Sequence, residues 1–104
     1  MSADEPEITP SHRIVLRTEA PTEWCTWWTD LTKLADGIYY GWPQSESGPN
    51  PWFWHWCVPR VLWVAQSTDA HTLHARSPLH LEASLLWPCC GLHGFARDGK
   101  WVPA

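Results

Sequence analysis

The sequence has few basic residues, and it does not cluster them. Only 7 of its 104 residues are Lys or Arg, against 11 Asp or Glu, which leaves a formal net charge of −4. Each basic residue stands apart from the others along the chain. Affinity for nucleic acid depends on clustered cations that neutralise phosphates. The composition therefore argues against DNA or RNA as a partner.

Long apolar runs are also lacking. Pro, His, Arg or Glu interrupts each apolar segment well short of the roughly 18–20 residues that a helix needs to cross a bilayer. The first residues, MSADEPEITPSHR, contain neither the basic nor the apolar region of a signal peptide. We therefore expect no membrane partner and a cytoplasmic location, where four Cys favour thiols or a metal site over disulfides.

The chain is too short for two ordinary domains. Its acidic, Pro-containing start predicts a flexible lead over residues 1–12, followed by a single globular domain over residues 13–104. Such a small domain buries a limited share of its surface, so large side chains or cross-links are valuable to it. Ten Trp supply the large side chains. They exceed what one small core needs, which suggests that some of them form a binding surface.

One segment has the spacing of an amphipathic helix. Between Thr22 as N-cap and Gly37 as C′ residue, apolar side chains recur at intervals of three, four and seven: Trp24, Trp27, Trp28, Leu31, Leu34 and Ala35. The abundance of Trp and Thr weakens this interpretation, because these residues suit strands as well.

The rest of the chain reads mainly as strands. In WFWHWCV, Trp52, Trp54 and Trp56 fall on one strand face, while Phe53, His55 and Cys57 fall on the other. VLWVAQ follows as a second strand, residues 67–78 read as a polar loop, and LHLEASLLW reads as one strand. Asp98-Gly99 is the strongest hairpin signal. The fold class predicted is α+β: a small single domain, mostly antiparallel β, with one N-terminal amphipathic helix.

Cys90 and His93 have the spacing of a metal-binding knuckle, with Gly91 allowing a sharp turn between them. Zinc needs about two further ligands, and Cys57 and Cys25 are the preferred candidates because thiolates suit closed zinc sites. His55 and Cys57 form a partial second pair. Cys89 is the weaker candidate, because adjacent residues on a strand point to opposite faces. Thiols packed as small hydrophobic groups, and a Cys nucleophile with a His base, remain the alternatives.

Residues 79–104 resemble the C-terminal signature of a family of small bacterial and phage domains of unknown function. The matching residues are the EASLL strand, then Cys90-Gly91 with His93-Gly94-Phe95, and then Asp98-Gly99 with Trp101. Relatives occur beside bacterial ubiquitin-like conjugation genes and as stand-alone proteins of actinobacterial phages, and the ending HGFARDGKWVPA is most similar to the phage form. The resemblance implies a metal knuckle at Cys90 and His93. Bacterial relatives carry an upstream Cys-rich cluster, of which this chain has only Cys57, with Cys25 farther away.

These observations predict a small phage-type accessory protein that binds a host or phage protein, with zinc as a candidate structural ion. Trp is enriched at binding hot spots, and Trp52, Trp54 and Trp56 are the predicted partner-binding face. The same strand face would also suit a homodimer. The alternative is a Cys- and His-dependent hydrolase or transferase linked to a conjugation system. No complete catalytic set is evident, so the sequence leans away from an enzyme.

Overall fold

A computed structural model describes residues 7–8, 12–15, 18–26, 28–43, 50–87 and 89–104. This part of the chain forms one short helix and eleven strands: β1 Glu7–Ile8, β2 His12–Val15, α1 Pro21–Trp24, β3 Trp28–Ala35, β4 Ile38–Pro43, β5 Trp52–Cys57, β6 Leu62–Ser67, β7 Thr72–Arg76, β8 Leu79–Glu82, β9 Leu85–Trp87, β10 Leu92–Arg97 and β11 Lys100–Pro103.

The strands form three antiparallel sheets. The largest has six strands in the order β1-β2-β6-β5-β4-β3, so β5 and β6 lie at its centre. A three-stranded sheet has the order β11-β10-β9, and β7 pairs with β8 in a two-stranded sheet. Strand β5 pairs with β6, and the predicted Asp98-Gly99 hairpin is present, since β10 pairs with β11 across it. Both residues of that turn have positive φ, which a tight hairpin turn of this kind requires.

The predicted N-terminal amphipathic helix is wrong. Most of the segment is the strand β3, and helix occurs only over the four residues Pro21–Trp24. Trp28 and Leu31 pack in one cluster although they are three residues apart, because a register shift between Thr29 and Thr32, with Asp30 at φ 53°, returns both to one face. A β-bulge thus imitates the spacing of a helix. Trp27, which the helix prediction also used, lies outside the described residues.

Gly37 ends a strand rather than a helix. It has φ 75° and follows Asp36 in the turn between β3 and β4, with Ala35 and Ile38 paired across that turn. Here Gly37 alone has positive φ, at the second position of the two-residue turn, where a type II turn requires it. The same positive φ is what a helix C′ position requires, which is why the sequence allowed either interpretation.

Strand β5 separates two cores, and its side chains alternate between them. Trp52 and Trp54 face an aromatic cluster that also contains Trp28 and Trp63. The ring of Trp54 lies 5.1 Å from that of Trp28 and 5.3 Å from that of Trp24. On the other face, residues from β5 pack with the two smaller sheets in a mainly aliphatic core: Ile38, Phe53, Cys57, Val64, Leu79, Leu81, Leu85, Trp87 and Ala96.

The C-terminal half contains more strands than the sequence indicated. The predicted polar loop over residues 67–78 includes β7, and the predicted strand LHLEASLLW is divided into β8 and β9. The division falls at Ala83, whose φ of 73° takes the backbone out of the strand conformation. In the described part of the chain, no helix is long and apolar enough to span a membrane. Residues 1–6 and 9–11 of the predicted lead lie outside that part.

Candidate metal centre

Four side chains that can bind a metal ion converge where β5 meets the turn between β9 and β10. They are His55, Cys57, Cys89 and Cys90, and one ligand atom from each lies within 4.8 Å of all the others. The shortest distance joins His55 Nε2 to Cys90 Sγ, at 3.1 Å. Cys89 Sγ and Cys90 Sγ are 3.8 Å apart. Because Cys57, Cys89 and Cys90 form no disulfide, the group could hold a metal ion.

Strand periodicity supplies half of this group. His55 and Cys57 are two residues apart on β5, so their side chains project from the same face of the sheet, towards the aliphatic core. The carbonyl of Cys57 accepts hydrogen bonds from the backbone N–H groups of Arg60 and Val61 at 3.2 and 2.8 Å. These hydrogen bonds close the turn that directly follows Cys57.

A tight turn supplies the other half. The carbonyl of Trp87 accepts hydrogen bonds from the N–H groups of Cys90 and Gly91 at 3.3 and 2.7 Å. Gly91 has φ 78°, a conformation that glycine adopts without strain. In such a turn, neighbouring side chains no longer alternate between two faces as they do on a strand. Cys89 and Cys90 can therefore present their Sγ atoms to the same point.

The four side chains of the group differ in their exposure to solvent. Cys57 is fully buried and His55 is 7% exposed, whereas Cys89 is half-buried and Cys90 is exposed. Burial, reinforced by hydrogen bonds with Cys57 and Cys90, raises the pKa of the Cys89 thiol to about 12. Without a cation, this thiol is protonated at neutral pH. A bound metal ion would reverse that preference, because it stabilises the thiolate form.

The His55 ring is held as a neutral imidazole. Burial lowers its pKa, and the nearby backbone carbonyl of Gly37 opposes that shift. Nδ1 is buried, and among the described residues no acceptor meets hydrogen-bond geometry with it, so the Gly37 carbonyl is treated as a neighbouring dipole. The ring also contacts Trp87, with 5.0 Å between centroids. Neutral imidazole is the form that binds metals.

Two of the four ligands predicted from sequence belong to the group. Cys57 and Cys90 belong to the group of four converging side chains, whereas His93 and Cys25 lie outside it. His93 is exposed, and its Nε2 forms a hydrogen bond of 2.7 Å with Ser84 Oγ. Cys25 packs against the aromatic cluster on the opposite face of the six-stranded sheet. His55, noted in the sequence as part of a partial pair, and Cys89, ranked low there, take the remaining positions.

The predicted partner-binding face lies largely inside the protein. Trp52 is 4% exposed and Trp54 is fully buried, while Trp56 is half-buried against the same aromatic cluster. The rings of Trp56 and Trp63 lie 5.4 Å apart. These indoles therefore form a core in the isolated chain and leave little of their surface for a partner.

Comparison with known proteins gives no independent assignment. No protein-family model, no curated protein and no solved structure matches this chain. The family resemblance of residues 79–104 therefore stays a prediction, and inference about function rests on the geometry of the metal centre and of the surface around it.

Proposed function

We propose that this protein is a small β domain stabilised by one structural zinc ion, bound by His55, Cys57, Cys89 and Cys90. The convergence of these four donors is the observation that carries the proposal. In a tetrahedral zinc site with Zn–S bonds of about 2.3 Å, neighbouring sulfur atoms lie about 3.8 Å apart. The Sγ atoms of Cys89 and Cys90 are already separated by 3.8 Å.

The donor types support zinc over magnesium or calcium. Three thiolates and one imidazole form a soft to borderline set, whereas magnesium and calcium select oxygen ligands. The set also supports a structural role, because the protein fills all four tetrahedral positions, whereas a catalytic zinc keeps one for water or substrate. Bound there, the ion would join β5 of the large sheet to the turn that leads into β10.

The direct test is elemental analysis of the purified protein, with thermal melts in the presence and absence of a strong chelator. We expect close to one zinc per chain and a lower melting temperature with chelator. Cys25→Ser is the matched control, since Cys25 lies outside the group, and it should retain zinc. Metal-free protein that does not take up zinc, and whose melt is insensitive to chelator, would refute the proposal.

A second proposal concerns the partner. The outer face of the three-stranded sheet carries Leu86, His93, Phe95 and Val102, which are neighbours because Leu86 pairs with His93 and Phe95 pairs with Val102. Leu86 is 52% exposed and Val102 is 39% exposed. The guanidinium of Arg97 lies over the Phe95 ring at 4.1 Å, so the face is mixed, with Leu86 and Val102 as its exposed apolar groups. Exposed apolar groups among polar ones are typical of protein-binding surfaces. This outer face, rather than the buried Trp residues, is the better candidate surface for the accessory role that the phage-like ending implies.

This second proposal is tested with charge substitutions. Leu86→Asp combined with Val102→Asp should abolish any complex, whether a homodimer seen by analytical ultracentrifugation or a host protein retained on the immobilised chain. Val61→Asp is the control, because Val61 is 59% exposed but lies in the turn between β5 and β6. A monomer that retains no protein, or whose complexes survive the double substitution, would contradict it.

One contact favours the enzyme alternative: the 3.1 Å approach of His55 Nε2 to Cys90 Sγ has the geometry of a base beside a nucleophile. The two atoms would also be neighbours as zinc ligands, at about 3.6 Å in a tetrahedral site. Cys90→Ser separates the two roles, because a nucleophile can be replaced without loss of stability, whereas a structural ligand cannot. We expect this variant to lose zinc and to melt at a lower temperature.

A further inference from the structure

The four donors differ in their access to solvent. Cys57 is fully buried, His55 is 7% exposed and Cys89 is half-buried. Cys90 is exposed, and it lies in a turn rather than in a strand. A Cβ built on the next residue, Gly91, would meet no atom within 4 Å. Of the four donor residues, Cys90 is therefore the one most open to a solute.

We propose that Cys90 is a peroxide-reactive modification site, and that its oxidation to a disulfide with Cys57 releases the metal. This inference rests on the zinc site proposed above. Susceptibility of a thiol to oxidation follows its thiolate character and its exposure. Metal ligation supplies the thiolate character, and the turn supplies the exposure.

The chemistry is a two-electron oxidation with hydrogen peroxide as the oxidant. The Cys90 thiolate attacks one peroxide oxygen and the O–O bond breaks, which gives a sulfenic acid on Cys90 and hydroxide that is protonated to water. The Cys57 thiolate then attacks Cys90 Sγ, an S–S bond forms, and the sulfenic oxygen leaves as a second water. In sum, two thiolates, one peroxide and two protons give one disulfide and two waters. Two of the four donors are thereby lost to the metal.

Geometry selects Cys57 rather than Cys89 as the disulfide partner. Successive Cα atoms are about 3.8 Å apart across a trans peptide, which is below the range of about 4.4–6.8 Å that disulfides span. A bond between the adjacent Cys89 and Cys90 would therefore distort the turn. Cys57 lies on a different element, and its Sγ is within 4.8 Å of that of Cys90. To form this bond the exposed turn with Cys90 would move towards Cys57, because β5 is held between β6 and β4.

The test uses zinc-loaded full-length protein, hydrogen peroxide and a chromogenic zinc chelator. We expect loss of the bound zinc together with loss of two thiols. Cleavage after Lys and Arg under non-reducing conditions should then give a cross-link between the peptides of residues 34–60 and 77–97. The Cys89→Ser variant should still form this cross-link, whether or not it retains zinc, because it keeps Cys57 and Cys90. Cys25→Ser should behave as wild type, and Cys90→Ser should form no cross-link.

The outcomes separate this inference from the zinc proposal. Protein that holds zinc and keeps it in peroxide overturns the inference alone, and so does oxidation confined to the peptide of residues 77–97. Protein that binds no zinc overturns the zinc proposal. In that case the release of metal is overturned with it, and the reduced metal-free chain tests the oxidation that remains: its failure to form the cross-link in peroxide overturns the disulfide between Cys90 and Cys57 as well.

Discussion

At the scale of single residues, the choice between His55 and His93 is the sharpest prediction. His55→Ala should lose zinc and lower the melting temperature, because it removes a donor that lies 3.1 Å from Cys90 Sγ. His93→Ala should keep its zinc, since His93 is engaged with Ser84 Oγ at 2.7 Å on the outer surface. Elemental analysis of the two purified variants measures the difference.

The reverse result would make His93, as predicted from sequence, the imidazole ligand in place of His55. The His93→Ala variant also serves as a control for the removal of an imidazole. If both variants retained zinc, the thiols alone would hold the ion, and the role assigned to His55 would be rejected.

The sequence identified part of this site for sound physical reasons. Alternation along a strand correctly placed His55 and Cys57 on one face of β5. The same rule demoted Cys89, because it was applied to a strand that in fact ends at Trp87. Where a turn begins is fixed by backbone hydrogen bonds and by the positive φ of Gly91. One sequence without its tertiary contacts does not specify that boundary within a residue.

At the scale of elements, the β10–β11 hairpin depends on the absence of a side chain at Gly94. A Cβ at this position would lie 2.5 Å from Cζ2 of Trp101 and 2.8 Å from the carbonyl oxygen of Val102. Gly94→Ala should therefore destabilise the protein by about 1–3 kcal/mol, as overpacking does. Denaturant unfolding measures this loss, and near-ultraviolet circular dichroism should report the displaced indole.

A double-mutant cycle shows whether Trp101 is the cause. Trp101→Leu should cost less in the Gly94→Ala background than in wild type, with a coupling energy of about 0.5–3 kcal/mol. Gly99→Ala is the control from the same hairpin: its φ of 73° brings strain, but its Cβ would be no closer than 3.4 Å to any neighbour. This control should show no coupling with Trp101→Leu. Strict additivity in the first cycle would argue against the contact.

The error over β3 also belongs to this scale. Spacings of three and four residues favour a helix only when no bulge intervenes, and Asp30 at φ 53° marks one. Thr26, Thr29 and Thr32 suit a strand, and Asp36-Gly37 is a hairpin signal that was interpreted from sequence as the end of a helix. Local propensity was therefore the better guide here than periodicity, because the periodicity came from a bulge that only pairing with β4 reveals.

At the scale of the whole molecule, the proposed ion links two sheets that are otherwise joined by apolar packing. His55 and Cys57 belong to the six-stranded sheet, and Cys89 and Cys90 precede the central strand of the three-stranded sheet. Chelation should therefore raise amide hydrogen exchange more in β9, β10 and β11 than in the β3–β4 hairpin. Hydrogen exchange of the zinc-loaded and chelated protein, with zinc restored as the control, measures this. An equal rise in every strand would mean that the ion stabilises the domain as one cooperative unit.

Strand β5 has no solvent side, since five of its six residues are buried and Trp56 is half-buried. A strand on a protein surface can exchange every second residue for almost any polar one without harm. In β5 neither face is free to vary: one set of alternate positions holds indoles, and the other holds Phe53 and two candidate metal donors. A library of random substitutions should therefore leave β5 nearly unchanged among folded survivors, while edge strands such as β11 accumulate variation. The tolerance of this small protein to mutation is set by its middle strand, whose six residues contribute to two cores and to the candidate metal centre.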